Sequence, residues 1–108
     1  MTAAVTRLAE LARPLALVRL LLADHPNLPA PHVEVSPHSP DRLTLSVHGD
    51  LRAFEAWREA LGIEPAAVRR NLQSGDTTMV LSGFGEIADA KVELVGYSPN
   101  LALLAAVA

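Results

Sequence analysis

The sequence predicts a two-layer α+β fold, in which two helices pack on one face of an antiparallel sheet of four to five strands. Three observations support this prediction. Apolar residues recur at helical spacing in two segments, they alternate with polar residues in several others, and the later strands are joined by hairpin-length connections. Such short connections exclude a doubly wound parallel sheet. The predicted order is αββαβββ, followed by a short apolar C-terminal helix or tail.

The first helix is predicted over residues 3–23, where leucine and valine recur every three or four positions. Pro14 lacks the amide hydrogen that a helix needs, so the helix either kinks there or restarts with Pro14 in its first turn. Further leucines widen the apolar surface of the second half, which we expect to be the more buried. The regularly spaced apolar positions are Leu8, Leu11, Leu15, Val18 and Leu22.

A proline-rich segment, residues 26–40, follows the first helix. Its five prolines do not all fit regular structure, so it is predicted as a loop that contains at most a short edge strand, His32–Ser36. After it, Leu43, Leu45 and Val47 alternate with polar residues. This alternation predicts a strand over 42–48 with one buried face.

The second helix is predicted over residues 51–61. Asp50 is placed to cap its first turn, and Gly62 is placed to end it in a left-handed conformation. Leu51, Phe54, Trp57 and Leu61 fall on one face, which we expect to lie on the sheet.

Three strands are predicted in the last third of the chain. Residues 68–73 and 77–84 form a hairpin around Gly75, although 68–73 could instead be a short helix that starts after Pro65. Residues 90–97 alternate apolar and polar side chains and form the last strand, antiparallel to its predecessor. Ser98 and Pro99 are then the cap and first residue of a tail helix over 100–107.

Length, charge and cysteine content limit the classes of function. A chain of 108 residues has room for one domain, 1–108. The net charge of -3 argues against nucleic acid as the main partner, because phosphate binding needs clustered Lys and Arg. There is no cysteine, which excludes disulfides, thiolate zinc sites and cysteine nucleophiles. Arg19 interrupts the apolar run 15–23, which argues against both a signal peptide and a membrane span. We therefore expect a cytoplasmic protein with no membrane partner.

No motif predicts a catalytic residue, a metal ligand or a cofactor. Gly83, Gly85 and Ala88 match the spacing of a dinucleotide fingerprint, but a strand rather than a helix follows them. The four histidines lack the spacing of known metal sites and are interpreted as exposed loop residues. The histidine positions are His25, His32, His38 and His48.

One segment carries a resemblance. The run 50–63, a capped amphipathic helix containing Phe54 and Trp57, together with 92–97, resembles short uncharacterised proteins of high-GC actinobacteria such as Streptomyces, some of them associated with phages or mobile elements. The resemblance covers about the C-terminal two thirds of the chain. It implies no activity, so it assigns no site residue.

The strongest evidence about function in the sequence is the apolar surface of the first helix and of the tail. Together they offer more hydrophobic area than a monomer of this size easily covers. We expect a non-enzymatic protein–protein interaction module, self-associating as a dimer through the first helix, the tail or both. The expected interface residues are Leu8, Leu11, Leu15, Val18, Leu22, Leu101 and Leu104.

Three alternatives stay open. The apolar helix could simply close the core of a monomer. A pocket lined by Trp57, Phe84 and Tyr97 would instead indicate a small-molecule-binding or enzymatic fold. A nucleic-acid accessory factor would require convergence of basic side chains on one face. Those basic side chains are Arg52, Arg58, Arg69 and Arg70.

Overall fold

A computed structural model describes residues 5–73, 75 and 77–99. The order of its helices and strands confirms the predicted α+β class and the succession αββαβββ. The elements are α1 (Ala12–Asp24), β1 (His32–Ser36), β2 (Ser39–His48), α2 (Leu51–Ala60), β3 (Arg69–Gln73), β4 (Thr78–Ile87) and β5 (Ala90–Pro99). The expected tail helix over 100–107, with Leu101 and Leu104, lies outside the described residues.

The five strands form one sheet in the order β1-β2-β5-β4-β3. Three neighbouring pairs are antiparallel, but β2 and β5 are parallel. The sheet is therefore mixed, and the expectation of a wholly antiparallel sheet is wrong at its centre. The reason is the connection: α2, β3 and β4 separate β2 from β5, and this length of chain lets β5 return in the same direction as β2.

Both helices lie on the same face of the sheet, α1 against β2 and α2 against β5. The alternation predicted for β2 is confirmed, because Leu43 and Leu45 are buried opposite Val92 and Leu94 of β5. We call the other face, which no described helix covers, the open face. The buried core consists of Leu17, Leu21, Leu43, Leu45, Val47, Ala53, Phe54, Trp57, Leu61, Ile63, Ala90, Val92 and Leu94.

The first helix restarts at its proline. A 3-10 turn over Leu8–Leu11 precedes α1, which begins at Ala12 and holds Pro14, buried, in its first turn. The missing amide hydrogen of Pro14 costs nothing at this position, because amides of the first turn have no partner inside the helix. Of the two outcomes expected for 3–23, the structure shows the restart rather than the kink.

Helix α2 has the predicted cap and stop. The Asp50 carboxylate accepts a hydrogen bond from the amide of Arg52 at 2.8 Å. This bond holds the pKa of Asp50 below its ordinary value. At the other end Gly62 has φ +71°, a conformation that side chains disfavour, and the chain turns back toward the sheet.

A close approach fixes α2 on β5. Phe54 packs directly over Gly96, where an added Cβ would lie 2.6 Å from a ring carbon of Phe54. A glycine in a central strand usually weakens it, but here its missing side chain makes room for an aromatic ring. Gly96 therefore sets the distance between α2 and the sheet.

The ends of several strands differ from the prediction. Strand β2 starts at Ser39 rather than at residue 42. Residues 69–73 form the predicted hairpin strand, and the helical alternative is limited to a 3-10 turn over Pro65–Ala67. The cap predicted at Ser98 and Pro99 is wrong, because both residues continue β5 and pair with β4.

Candidate interaction surface

Two apolar stripes run side by side along α1, and the sheet covers one of them. Leu17 and Leu21 are 0% and 7% exposed, and Pro14 is buried with them. Leu15 and Leu22 are 42% and 69% exposed. The buried residues recur at i, i+3 and i+7, so the exposed leucines, each one position later, lie on the adjoining flank of the helix.

The predicted interface residues divide along these stripes. Leu8, Leu15 and Leu22 are exposed, whereas Leu11 and Val18 are half-buried and Val18 packs against the core. The second half of the helix contributes Leu17 and Leu21 to the core, as expected. The outer flank of α1, Leu15 and Leu22, therefore remains uncovered among the described residues.

Strand β1 is the second part of the surface. It lies at one edge of the sheet and pairs only with β2, so its outer backbone groups have no partner strand among the described residues. Val33 and Val35 lie on the helix-covered face, opposite Leu45 and Leu43. Val33 is nevertheless 51% exposed, because the covering helix lies over β2 rather than over the edge.

The outer flank of α1 and the edge of β1 are adjacent. Leu22, Val18 and Val33 line the same apolar pocket, so the C-terminal half of α1 lies beside the beginning of β1. We call the combination of Leu15, Leu22, Val33 and the free edge of β1 the β1–α1 surface. Unpaired strand edges with apolar side chains are sites of strand addition.

Comparison with known proteins gives no independent assignment. No family model matches the chain, and the searches of curated proteins and of solved structures found no match to it. The resemblance of 50–63 and 92–97 to actinobacterial proteins stays a prediction. Within the described ranges, neither helix is long and apolar enough to cross a membrane.

The aromatic side chains do not form the pocket of the small-molecule alternative. Trp57 belongs to α2 and is buried in the core on the helix-covered face, whereas Phe84 is exposed and lies on the open face. Tyr97 is also on the open face, where its ring stacks on His48 at 4.7 Å. The expected grouping is wrong because Phe84 alternates with Gly83 and Gly85, and it is these glycines that face the core residue Ile63.

The four arginines of the nucleic-acid alternative also point in different directions. Arg69 and Arg70 are neighbours on β3 and therefore lie on opposite faces of the sheet. Arg58 donates to the Glu55 carboxylate and to the Ile63 carbonyl. The bond to Arg58 holds the pKa of Glu55 below its ordinary value. Arg52 contacts Asp50 at 3.5 Å, so two of the four charges are already paired.

The histidines do not assemble a metal site. His32 and His48 are neighbours on the open face, with ring centroids 5.3 Å apart, while His38 lies in the turn between β1 and β2. In the part of the chain that the structure describes, no group of three His, Asp or Glu residues is placed to hold an ion. Likewise, Gly83 and Gly85 lie within β4 and Ala88 in the turn after it, with β5 rather than a helix following.

Sequence reasoning missed Val33. The signal was present, because Val33 and Val35 alternate with His32 and Glu34 in the segment predicted as an edge strand. An edge strand that presents two valines on one face needs a neighbour for them. Among the described residues, α1 covers these two valines only in part.

Proposed function

We propose that this chain is a non-enzymatic protein–protein interaction module that self-associates as a dimer through the β1–α1 surface. The observation that supports this proposal most is the position of Val33, a half-exposed apolar residue beside the exposed Leu22, on an edge strand whose outer side has no partner strand among the described residues. Burial of apolar side chains and pairing of free backbone groups both favour association. A second copy offers both at once.

The sequence of β1 is complementary to itself. Two edge strands related by a two-fold axis perpendicular to the sheet pair antiparallel, with the same faces aligned. When Val33 lies on the axis, it meets Val33 of the partner subunit on the helix-covered face. On the open face His32 then meets Glu34 of the partner subunit, and the contact occurs twice. An imidazole beside a carboxylate is a favourable cross-strand pair.

Neighbouring registers are less favourable. With Glu34 on the axis, two carboxylates would face each other directly, and like charges in opposed positions are destabilising. With His32 on the axis, Val33 would face Pro31 of the partner subunit, and Glu34 would lose its imidazole partner. The charge pattern of β1 thus selects the register with Val33 at the centre.

The same axis brings the two α1 helices onto one side of a continuous ten-stranded sheet. Leu22 lies closest to the axis, because it shares a pocket with Val33. Leu15 is two helical turns earlier, about 10 Å along the helix. The outer flank of α1 therefore adds apolar contacts above the paired strands, and Leu22 contributes more of them than Leu15.

Sedimentation equilibrium of the purified chain tests the proposal. The expected mass rises from 11.5 kDa toward twice that value as the concentration increases from micromolar to millimolar. A mass that stays at the monomer value over the whole range would contradict self-association. Because Leu11 and Val18 are half-buried, variants at these positions report on folding as well as association, and Leu15, Leu22 and Val33 are the better probes.

A further inference from the structure

An apolar pocket opens between α1, the loop after it and strand β1. Its volume is about 230 Å³. The buried side chains of Leu45 and Trp57 belong to its lining, so the pocket reaches the core rather than being a shallow surface groove. The complete lining is Val18, Leu21, Leu22, His25, Pro26, Leu28, Ala30, Pro31, Val33, Leu45 and Trp57.

The wall of this pocket is fixed before any ligand arrives. The indole nitrogen of Trp57 donates a hydrogen bond to the Pro29 carbonyl at 2.7 Å and so ties the loop to α2. Pro26, Pro29 and Pro31 restrict the backbone of the same loop. A pocket whose wall is held by prolines and a buried hydrogen bond loses little entropy when it is filled.

Size and lining limit the ligand to a small apolar molecule. Ten of the eleven lining residues are apolar, and His25 is the exception. A dry cavity of about 150 Å³ with aliphatic and aromatic walls is known to hold benzene. The pocket here is larger, and a single ring or a short alkyl chain fits it.

The rim favours a head group that donates hydrogen bonds. α1 ends at Asp24, and the carbonyl groups of a helix C-terminus carry partial negative charge. Pro26 stands four residues after Leu22 and has no amide hydrogen, so the Leu22 carbonyl has no helical donor. The partial negative charge at this end of α1 disfavours an anionic head group.

We propose that this pocket binds a small apolar molecule whose head group is a primary amine or alcohol, with the alkyl chain or ring against Leu45 and Trp57 and the head group at the end of α1. The described part of one chain supplies all eleven lining residues, so a monomer can form the site, although Leu22 and Val33 also belong to the β1–α1 surface.

Trp57 provides the readout, since it is the only tryptophan in the chain. Its fluorescence is followed while hexylamine, hexanol or hexanoate is added, three probes with the same chain and different head groups. We expect a saturable change with the amine and the alcohol, and binding of hexanoate weaker by about threefold or more. Equal binding of hexanoate would overturn the assignment of the head group, and no saturable change with any probe would overturn the site.

Two variants, each with one alanine replaced by phenylalanine, show where the probes bind. Ala30→Phe places a ring at the pocket wall and should abolish the fluorescence change, whereas Ala16→Phe, on the exposed surface of α1 away from the pocket, should leave it intact. Circular dichroism establishes that both variants are folded. Unaltered binding in Ala30→Phe would place the probes elsewhere and overturn the proposal. Leu15→Glu changes the outer flank of α1 outside the pocket and should leave the fluorescence titration unchanged, whereas loss of binding in this variant would overturn a site formed by one chain.

Discussion

The two edges of the sheet are built in opposite ways. Strand β1 carries Val33 and Val35 on its helix-covered face and His32 and Glu34 on its open face, and in the proposed dimer the imidazole faces the carboxylate of the other copy. Strand β3, Arg69–Gln73, begins with two arginines that place positive charge on both faces, and all five of its residues are exposed. Charges of this kind protect an edge strand from pairing with another chain. We infer that β3 is the protected edge and β1 the edge used for association.

A lysine placed at the centre of each edge strand should give the largest difference in dimer affinity between β1 and β3. Val33→Lys places two ammonium groups face to face on the dimer axis, and we expect the dissociation constant to rise on the order of 100-fold. Asn71→Lys makes the matching change at the centre of β3 and should leave the dimer intact. Sedimentation equilibrium measures both. Equal weakening by the two variants would show that β1 is not the associating edge.

Replacing one exposed leucine at each edge of the sheet should give a smaller difference in dimer affinity. Leu22→Glu puts a carboxylate above the paired strands and should raise the dissociation constant roughly 10-fold, since Leu22 lies near the axis. Leu72 on β3 is also exposed, at 48% against 69% for Leu22, and Leu72→Glu should have no effect on association. Both constants come from the same sedimentation experiment. A dimer that tolerates Leu22→Glu would contradict the role of the outer flank of α1.

An exchange of charges tests the register of β1. Glu34→Lys replaces the carboxylate that would face the imidazole of His32 of the partner subunit, and we expect a loss of about 3-fold in affinity, the size of an exposed cross-strand polar pair. Adding His32→Glu to the same chain places a carboxylate opposite the new lysine across the axis and should recover the affinity. If the double variant binds no better than Glu34→Lys alone, then the two residues are not opposed, and the register with Val33 on the axis is incorrect.

A variant in the core tests whether the stability of the fold and the affinity of the dimer are independent. Gly96→Ala forces Phe54 away from β5 and should lower the free energy of unfolding by about 1–3 kcal/mol. Because β2 lies between β5 and the edge strand β1, Gly96 does not contact the proposed interface, and the dissociation constant of the folded protein should not change. Urea denaturation measures the first quantity and sedimentation the second. A large loss of affinity in a folded Gly96→Ala variant would indicate that packing of the core controls the dimer.

Local patterns predicted the elements of this fold well. The alternation of Leu43, Leu45 and Val47 identified β2, and Asp50 with Gly62 bounded α2, because turn and cap chemistry is encoded within a few residues. The parallel pairing of β2 with β5 was not predicted. Alternation shows that a strand has one buried face, but it does not reveal which strand lies beside it.

The candidate surface was predictable in part. The regular spacing of the five predicted positions identified an apolar stripe of which only Leu8, Leu15 and Leu22 are exposed, and a second stripe, Leu17 and Leu21, has similar spacing and is buried. Which of two adjoining stripes meets the sheet depends on tertiary packing, and periodicity alone does not decide it. The role of Val33 becomes apparent only when β1 is known to be an edge and α1 is known to lie over β2.

Disulfide cross-linking of single-cysteine variants tests the central claim most directly. The chain has no cysteine, so Val33→Cys introduces a unique thiol. Opposed residues of antiparallel strands have Cα atoms about 4.5–5.5 Å apart, within the range that a disulfide spans. Under mild oxidation Val33→Cys should form a covalent dimer rapidly, while Asn71→Cys on β3 should remain monomeric on a non-reducing gel. A covalent dimer from Asn71→Cys and none from Val33→Cys would contradict pairing through β1.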